Sequence, residues 1–538
     1  MNLFVLVFIF LFFPDQMTEE VVYSPEYVRS LLDQLDDTLN RPDPWSRMTL
    51  DELVAVAETL VRLDCRNEQR LLVSIDNLVV SLPVDSIDAK NLSKLLNSYA
   101  HLGFTKCRLI EYLKLRRSLS DMEPCHISGI MFALGKLKVV GQEFEDDGYS
   151  QFHHLQANFL QHMSQSDLSA VLHRLALRSF EIVDRFSPLE ISTVVFAMAR
   201  LCYRNVKLLN YFSEILANRL ADSTPQIISN TIYAMGKLGF RSVVLLDTVA
   251  RTCASRLGQF KPQEIANLVY AFGQLEYRNE QFLNFLADHI PPRLGTFKPQ
   301  ELSITAYAYS QLRLSHPRML GSIAIQIARR IEECSPQAIS NTVYAMSKLS
   351  FRHNGLFTAL SLSLPNRLGD LTPQHVSNIM YSFGKLGHRD DDLLEKICSH
   401  VPGRLWEFRP QNIANTVYAT GKLGFYHEQL LTAVADHLPY RLSECVSQDI
   451  SNIIYSFGQL GFRNCETFLK SVREYVVGVL LPSGTMQTKD LSYLTSAFRK
   501  AGHELIVSDE EPLKAVTSLL EDGDMNVLLS CLEKASTQ

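Results

Sequence analysis

Apolar and polar positions along this chain return with one fixed spacing. Counting from Pro225 as zero, positions three, seven and ten hold Ile228, Ile232 and Met235; counting from Pro262, the same places hold Ile265, Val269 and Phe272. At about 100° per residue these positions share one face of a helix. Position fourteen, Gly239 or Glu276, falls on the same face, and Leu238 and Leu275 at position thirteen widen it, so the whole stripe is expected to be core. The residues that set the count are Pro188, Pro225, Pro262, Pro299, Pro336, Pro373, Pro410 and Ser447, and every step is 37 residues. Eight units without insertion or deletion are the mark of a stacked repeat.

The pattern extends outward with looser spacing. Upstream lie "LDELVAVAETLVRLDCRN" from Leu50, "AKNLSKLLNSYAHLGF" from Ala89 and "PCHISGIMFALGKL" from Pro124. A compressed unit, "QSDLSAVLHRLALRSF", starts at Gln165, and "TKDLSYLTSAFRKAG" starts at Thr488. The expected organisation is a leader and capping segment over 1–44, divergent repeats over 45–187, regular repeats over 188–484, and a last repeat with a C-terminal cap over 485–538. Val140–Tyr149 reads as an inserted loop, and the tail from Glu510 to Gln538 as a helical cap.

Each unit reads as two helices, A and B. Ser187, Thr224, Ser335 and Thr372 precede the proline, where a hydroxyl can accept from orphan N–H groups and proline fits the first turn. Gly239, Gly387, Gly424 and Gly461 stand where helix A must stop, since glycine tolerates the left-handed C-terminal conformation. Helix B follows, as in "EQFLNFLADHI". A basic residue comes six places before the next unit: Arg219, Arg256, Arg293, Arg330, Arg367, Arg404 and Arg441. A cation there suits the helix's negative end and its unpaired carbonyls. With no β-pattern, the fold expected is all-α: an α-solenoid of about twelve two-helix repeats in a right-handed superhelix. Truncating Leu238 or Leu423 is expected to cost about 2–5 kcal/mol.

Positions one, five, eight and twelve fall on a different face of helix A. In the unit at Pro225 they are Gln226, Asn230, Tyr233 and Lys237; in the next, Gln263, Asn267, Tyr270 and Gln274. Later units give Asn341, Tyr344 and Lys348; Asn378, Tyr381 and Lys385; Asn415, Tyr418 and Lys422; and Asn452, Tyr455 and Gln459. Arg204, Arg241, Arg278, Arg352, Arg389 and Arg463 follow at the turn between A and B. A ladder of amide, ring and cation suits single-stranded RNA: amides bond base edges, rings stack, and cations meet phosphates. The competing reading makes Tyr an inter-repeat wedge and Asn a bond to a neighbouring turn, with only the Lys facing solvent or phosphate.

Composition narrows the choice. The chain has 538 residues, 46% hydrophobic and 20% charged, with a net charge of -6. That is normal for folded protein and lacks the basic balance of many nucleic-acid binders, so an RNA site must be a local basic stripe on an acidic body. Ten cysteines include no CxxC and read as reduced, mostly core-filling residues. Leu3–Phe13 is an apolar run too short to span a bilayer. It reads either as the h-region of a signal peptide without its basic flank, or as a stretch ahead of a true start at Met17. No other membrane segment is expected.

The "GK" pairs at Gly135, Gly236, Gly384 and Gly421 lack the rest of a P-loop. His153 and His154 have no third ligand in view, and no nucleophilic triad can be placed. No catalytic residue, cofactor, metal or small-molecule substrate is expected.

Units of 37 residues built on "PQxISNTxYAxGKLGFR" resemble the heptatricopeptide class of organellar helical repeats, akin to the pentatricopeptide and octotricopeptide classes. The resemblance is strong over 188–505 and weaker over 45–187. Many members carry a C-terminal nuclease-like RAP module, and this chain ends too soon after its last repeat for one, which implies a non-enzyme. The resemblance further implies a mitochondrial matrix protein bound to RNA and to other protein subunits. The expected role is handling guide RNA and messenger RNA in uridine insertion and deletion editing. A protein-only scaffold and a ribosomal-RNA-binding or ribosome-assembly protein fit the repeats as well.

Overall fold

A computed structural model describes residues 49–137, 165–480, 488–503 and 505. The apolar leader, Met17, the Val140–Tyr149 insert, His153, His154 and the 510–538 tail lie outside the described residues.

The described residues are helical throughout, in an alternating series. Helices A are α1 (Leu50–Arg62), α3 (Ala89–Leu102), α5 (Pro124–Leu137), α7 (Pro188–Arg200), α9 (Pro225–Lys237) and α11 (Pro262–Gln274), then α13 (Pro299–Gln311), α15 (Pro336–Lys348), α17 (Pro373–Leu386), α19 (Pro410–Leu423), α21 (Ser447–Leu460) and α23 (Thr488–Lys500). Helices B are α2 (Gln69–Ser81), α4 (Leu109–Leu115), α6 (Gln165–Glu181), α8 (Val206–Arg219), α10 (Val243–Ser255) and α12 (Glu280–His289), then α14 (Pro317–Arg329), α16 (Asn354–Ser363), α18 (Asp391–His400), α20 (Glu428–His437) and α22 (Glu466–Tyr475). Short 3-10 segments such as Pro291–Thr296 and Pro402–Glu407 lead from B to the next A.

The chain divides into two compact units, residues 1–286 and 287–538. Within each, successive A helices pack on one another to form one layer and B helices form the second. One sequence expectation changes here. The stretch from Gln165 is not a repeat of its own: α5 packs directly on α7, and α6 lies in the B layer against α4 and α8. It is helix B of the hairpin that opens at Pro124. Spacing alone misled, because α6 carries an A-like apolar rhythm.

The helix starts follow the expected chemistry. Ser187, Thr224, Ser335 and Thr372 each accept from the backbone N–H three residues on. Helices B are capped as well, through Asn205, His316, His353, Asp390 and His427. The core stripe holds at positions three, seven and ten, where Ile228, Ile232, Met235, Ile265, Val269 and Phe272 are buried.

Position fourteen does not belong to that stripe. Gly239 and Glu276 are exposed, and both have positive φ, 60° and 48°. Cys202, Arg313 and Ser350 adopt the same left-handed conformation in other repeats. That residue ends the helix, so its wheel position has no meaning. Leu238 is only half-buried, so its truncation should cost less than the expected range. Among the described cysteines none is disulfide-bonded; six are buried, but Cys125 and Cys202 are exposed rather than core-filling.

Candidate nucleic-acid interface

Helix A has a third face that the sequence reading did not separate. Positions four, nine and eleven carry small residues: Ser229, Ala234 and Gly236 in α9; Ser377, Ser382 and Gly384 in α17. They set how closely the next A helix approaches. A Cβ added to Gly236 would sit 3.1 Å from the Ala271 Cα, one on Gly384 2.8 Å from the Ala419 Cα, and one on Gly421 2.9 Å from the Ser456 Cβ. The buried amide that bonds across repeats is also elsewhere than expected. Asn412, at position two, donates to the Ser377 Oγ at 3.1 Å. The repeated phrase is thus partly a packing unit, through its Ser, Ala and Gly.

Its Asn, Tyr and Lys have a different fate. The side chains of Asn230, Asn267, Asn341, Asn378, Asn415 and Asn452 form no hydrogen bond with any described group. Asn341 and Asn378 are buried, 8% and 6% exposed, and the other four are half-buried. None of these amides is among the sealed, unpaired polar atoms, so each keeps its donor and acceptor open to solvent or to a ligand.

The tyrosines lean on one another from repeat to repeat. Tyr233 and Tyr270 have ring centroids 5.7 Å apart, Tyr344 and Tyr381 5.9 Å, and Tyr381 and Tyr418 6.4 Å. Tyr270 and Tyr307 are buried, and burial pushes the Tyr307 phenol up from its ordinary range. Tyr233, Tyr344, Tyr381, Tyr418 and Tyr455 remain half-exposed.

Lysines lie over these rings. Lys237 sits 5.4 Å from the Tyr233 centroid and 5.1 Å from that of Tyr270, and donates to the Tyr270 hydroxyl at 3.2 Å. Lys348 lies 5.2 Å from Tyr344 and 5.8 Å from Tyr381; Lys385 is 6.0 Å from Tyr381, and Lys422 5.5 Å from Tyr418. These are cation–π distances. Burial works against the Lys237 charge, but the phenols of Tyr233 and Tyr270 outweigh it and raise its pKa. Burial and the neighbouring Lys348 lower the pKa of Lys385. Lys348, Lys385 and Lys422 are exposed and have no carboxylate partner among the described residues.

The ladder reaches further upstream than the sequence reading took it. Lys136 lies over Phe132 at 6.0 Å and Arg200 over Phe196 at 5.9 Å. Both pairs occupy positions eight and twelve, a register that was visible in the sequence once Phe is allowed beside Tyr and Arg beside Lys.

The arginines form two rails. Apart from Arg293, those six before the helix-A start reach the preceding B-to-A connection rather than the carbonyls of their own helix. Arg219 donates to the Phe186 carbonyl at 2.8 Å, Arg330 to Phe297 at 2.8 Å, Arg367 to Cys334 at 2.6 Å and Arg441 to Phe408 at 2.8 Å. On the other edge the turn arginines reach forward. Arg204 donates to the Gly239 carbonyl at 3.3 Å, Arg352 to Gly387 at 3.3 Å, and Arg389 to Leu423 at 3.1 Å. Arg241 lies over the Tyr277 ring at 5.1 Å, and Arg278 pairs with Glu280 at 2.8 Å. Arg463 is exposed, near Gly502 of the following turn. Arg204, Arg241, Arg352 and Arg389 are therefore repeat-to-repeat staples on exposed residues, while Arg278 pairs within its own repeat.

Among the described residues no three His, Cys, Asp or Glu side chains converge to hold a metal ion, and no helix is long and apolar enough to cross a membrane. The stretch that carries the regular ladder, residues 223–465, matches the family described as RNA-editing substrate-binding complex 6 protein. Across those residues the chain is similar to that family.

No curated protein matches. Similarity to solved structures is low. A crystal structure of the pentatricopeptide repeat protein PPR10 in complex with an 18-nt psaJ RNA element shares 12% identity, with a TM-score of 0.24, covering 94% of this chain and 89% of that one. A homology model of the full-length AP-3 complex shares 13%, with a TM-score of 0.30, covering 88% and 83%. Importin13 in its cytosolic state shares 12%, with a TM-score of 0.25, covering 94% and 67%. The site is read from its own geometry and the family match.

Proposed function

We propose that this chain is a non-catalytic subunit of a mitochondrial RNA-editing complex that holds single-stranded RNA along helices A. Guide RNA and messenger RNA, in the matrix, are the strands proposed, and the match to an RNA-editing substrate-binding complex protein supports an RNA ligand. The observation that carries the reading is the run of three exposed, unneutralised ammonium groups, Lys348, Lys385 and Lys422, in successive repeats of an acidic chain. Each rests on a tyrosine beside an unpaired asparagine amide.

The grip is phosphate-led. A base sandwiched between two rings needs about 7 Å, twice the ~3.4 Å stacking rise. The tyrosine centroids lie 5.7–6.4 Å apart, so the rings are closed to inserted bases. Lysines supply affinity, and the free amides touch base edges or sugars from the side. The track should show little sequence preference, unlike a code of one base per repeat.

The test replaces Lys348, Lys385 and Lys422 together by Gln and follows RNA affinity against salt. Three lost phosphate contacts should lower the slope of log K against log salt by about 2. A folded variant with an unchanged slope, or native complexes in which ultraviolet light attaches no RNA to this chain, would refute the track and leave a protein-only scaffold.

A further inference from the structure

Because the repeats share one register, each serves as a control for the others. In the connections from B to the next A of the other regular repeats, the place four before the helix-A start holds Gly, Ala, Ser, Asp or Glu, and the place seven before it Asn, Ser, Gly, Pro, Arg or Glu, never an aromatic residue. Two adjoining connections differ. Trp406 stands at the first place, 74% exposed, and Tyr440 at the second, 90% exposed. Val446, 61% exposed, replaces the hydroxyl that caps other A helices. The two connections touch: Arg441, next to Tyr440, donates to the carbonyls of Leu405 at 3.4 Å and Phe408 at 2.8 Å, on either side of Trp406.

Exposed tryptophan and tyrosine are the side chains that anchor protein–protein contacts, and a soluble surface carries them at a cost. The polar groups framing them are already paired. Arg404 binds Glu407 at 2.7 Å and Arg441 binds Glu444 at 2.7 Å, and those arginines hold both carboxyls below their usual range. A highly charged ligand finds little to match in this frame, where Arg409 is the one cation of these connections without an ion pair among the described residues. We infer that Trp406, Tyr440 and Val446 form a docking site for an uncharged, apolar face of a folded protein partner. The family match, to a subunit of a complex, supplies the setting. The site does not depend on the RNA track, so failure of one leaves the other standing.

The chain has two tryptophans, Trp45 and Trp406. Full-length protein carrying Trp45→Phe and fluorotryptophan gives one fluorine resonance, from Trp406. It should shift when nuclease-treated editing complex lacking this chain is added. It should stay put with a short single-stranded RNA, or when the chain alone is concentrated. Trp406→Gly with Tyr440→Ser restores residues that other repeats hold at these places. That variant should keep its melting temperature and RNA affinity but bind the nuclease-treated complex at least about tenfold more weakly, the loss of a modest hot spot. A shift with RNA would make this a nucleic-acid site, and one with concentration a contact between copies. Either result, or undiminished binding by the double variant, overturns the proposal.

Discussion

Two faces of the same helix A obey different rules. The seam between repeats, at positions four, nine and eleven, tolerates only small residues: Ser, Ala and Gly recur there in every regular repeat. The track at positions five, eight and twelve varies in both size and charge, with Ile304 in place of Asn, and Gln274, Gln311 and Gln459 in place of Lys. Backbone approach governs the seam, where one extra methyl group meets a Cα at 2.8 Å. Chemistry toward solvent governs the track. The difference shows that repetition in itself does not signal a ligand site. The part of the phrase that repeats most strictly is the part that packs.

The sharpest way to break the comparison is at the seam. Gly384→Val should cost about 3 kcal/mol through overpacking against Ala419, read as a lower midpoint in urea, with RNA binding lost only as the repeats separate. Next comes Arg367→Met, which strips the Cys334 carbonyl of its donor, while the Ile331 carbonyl keeps the Cys334 N–H. About 1–2 kcal/mol is expected from leaving the Cys334 carbonyl unsatisfied, again with no direct effect on RNA. The track variants invert this pattern. Replacing Lys348, Lys385 and Lys422 by Gln should cost only about 0.5 kcal/mol per site, the value of an exposed cation–π pair, yet flatten the salt dependence. If this variant destabilises the fold as much as Gly384→Val does, the two faces are not distinct.

Smaller effects sharpen the boundary of helix A. Glu276→Gly should raise stability by about 0.5–1 kcal/mol, because a non-glycine residue is strained at φ 48°. His388 gives the smallest signal and a pH dependence. It stands where other repeats have Phe240, Phe351 or Phe425, stacked on Phe357 at 4.5 Å and edge-on to Phe383 at 5.1 Å. Burial, then the nearby Arg352, lowers its pKa, with Asp390 opposing. The native state therefore binds fewer protons than the unfolded chain once pH drops below about 6.5. Stability should be complete above that pH and fall as acid is added, and His388→Phe should remove that component of the slope.

Much of the architecture was legible because a proline marks seven of the eight regular helix-A starts, a capping hydroxyl precedes four of them, and the apolar rhythm marks the core face. Three features were not. The A-like rhythm of Gln165–Glu181 hid its place in the B layer, which only contacts with α4 and α8 reveal. Position fourteen was put in the core because a wheel assumes helix beyond the point where Gly239 ends it. The reach of the arginines was misread because a carbonyl some 33 residues away in sequence, such as Phe186 from Arg219, competes with those of the local turn. For the candidate site, sequence placed Asn, Tyr and Lys on one face. It could not show that Asn412 makes the cross-repeat bond while Asn378 and Asn415 stay unpaired. Nor could it show that the rings close upon one another, which depends on the distance between helices.

The arginine rails bind only adjacent units, one backward and one forward. A duplicate of residues 373–409 spliced in after Arg409 would thus find every donor and acceptor it needs in its new neighbours, as nearest-neighbour energetics of repeat arrays allow. The molecule's reach could be lengthened like a measuring tape, one link of 37 residues at a time, with footprint on the strand growing in step.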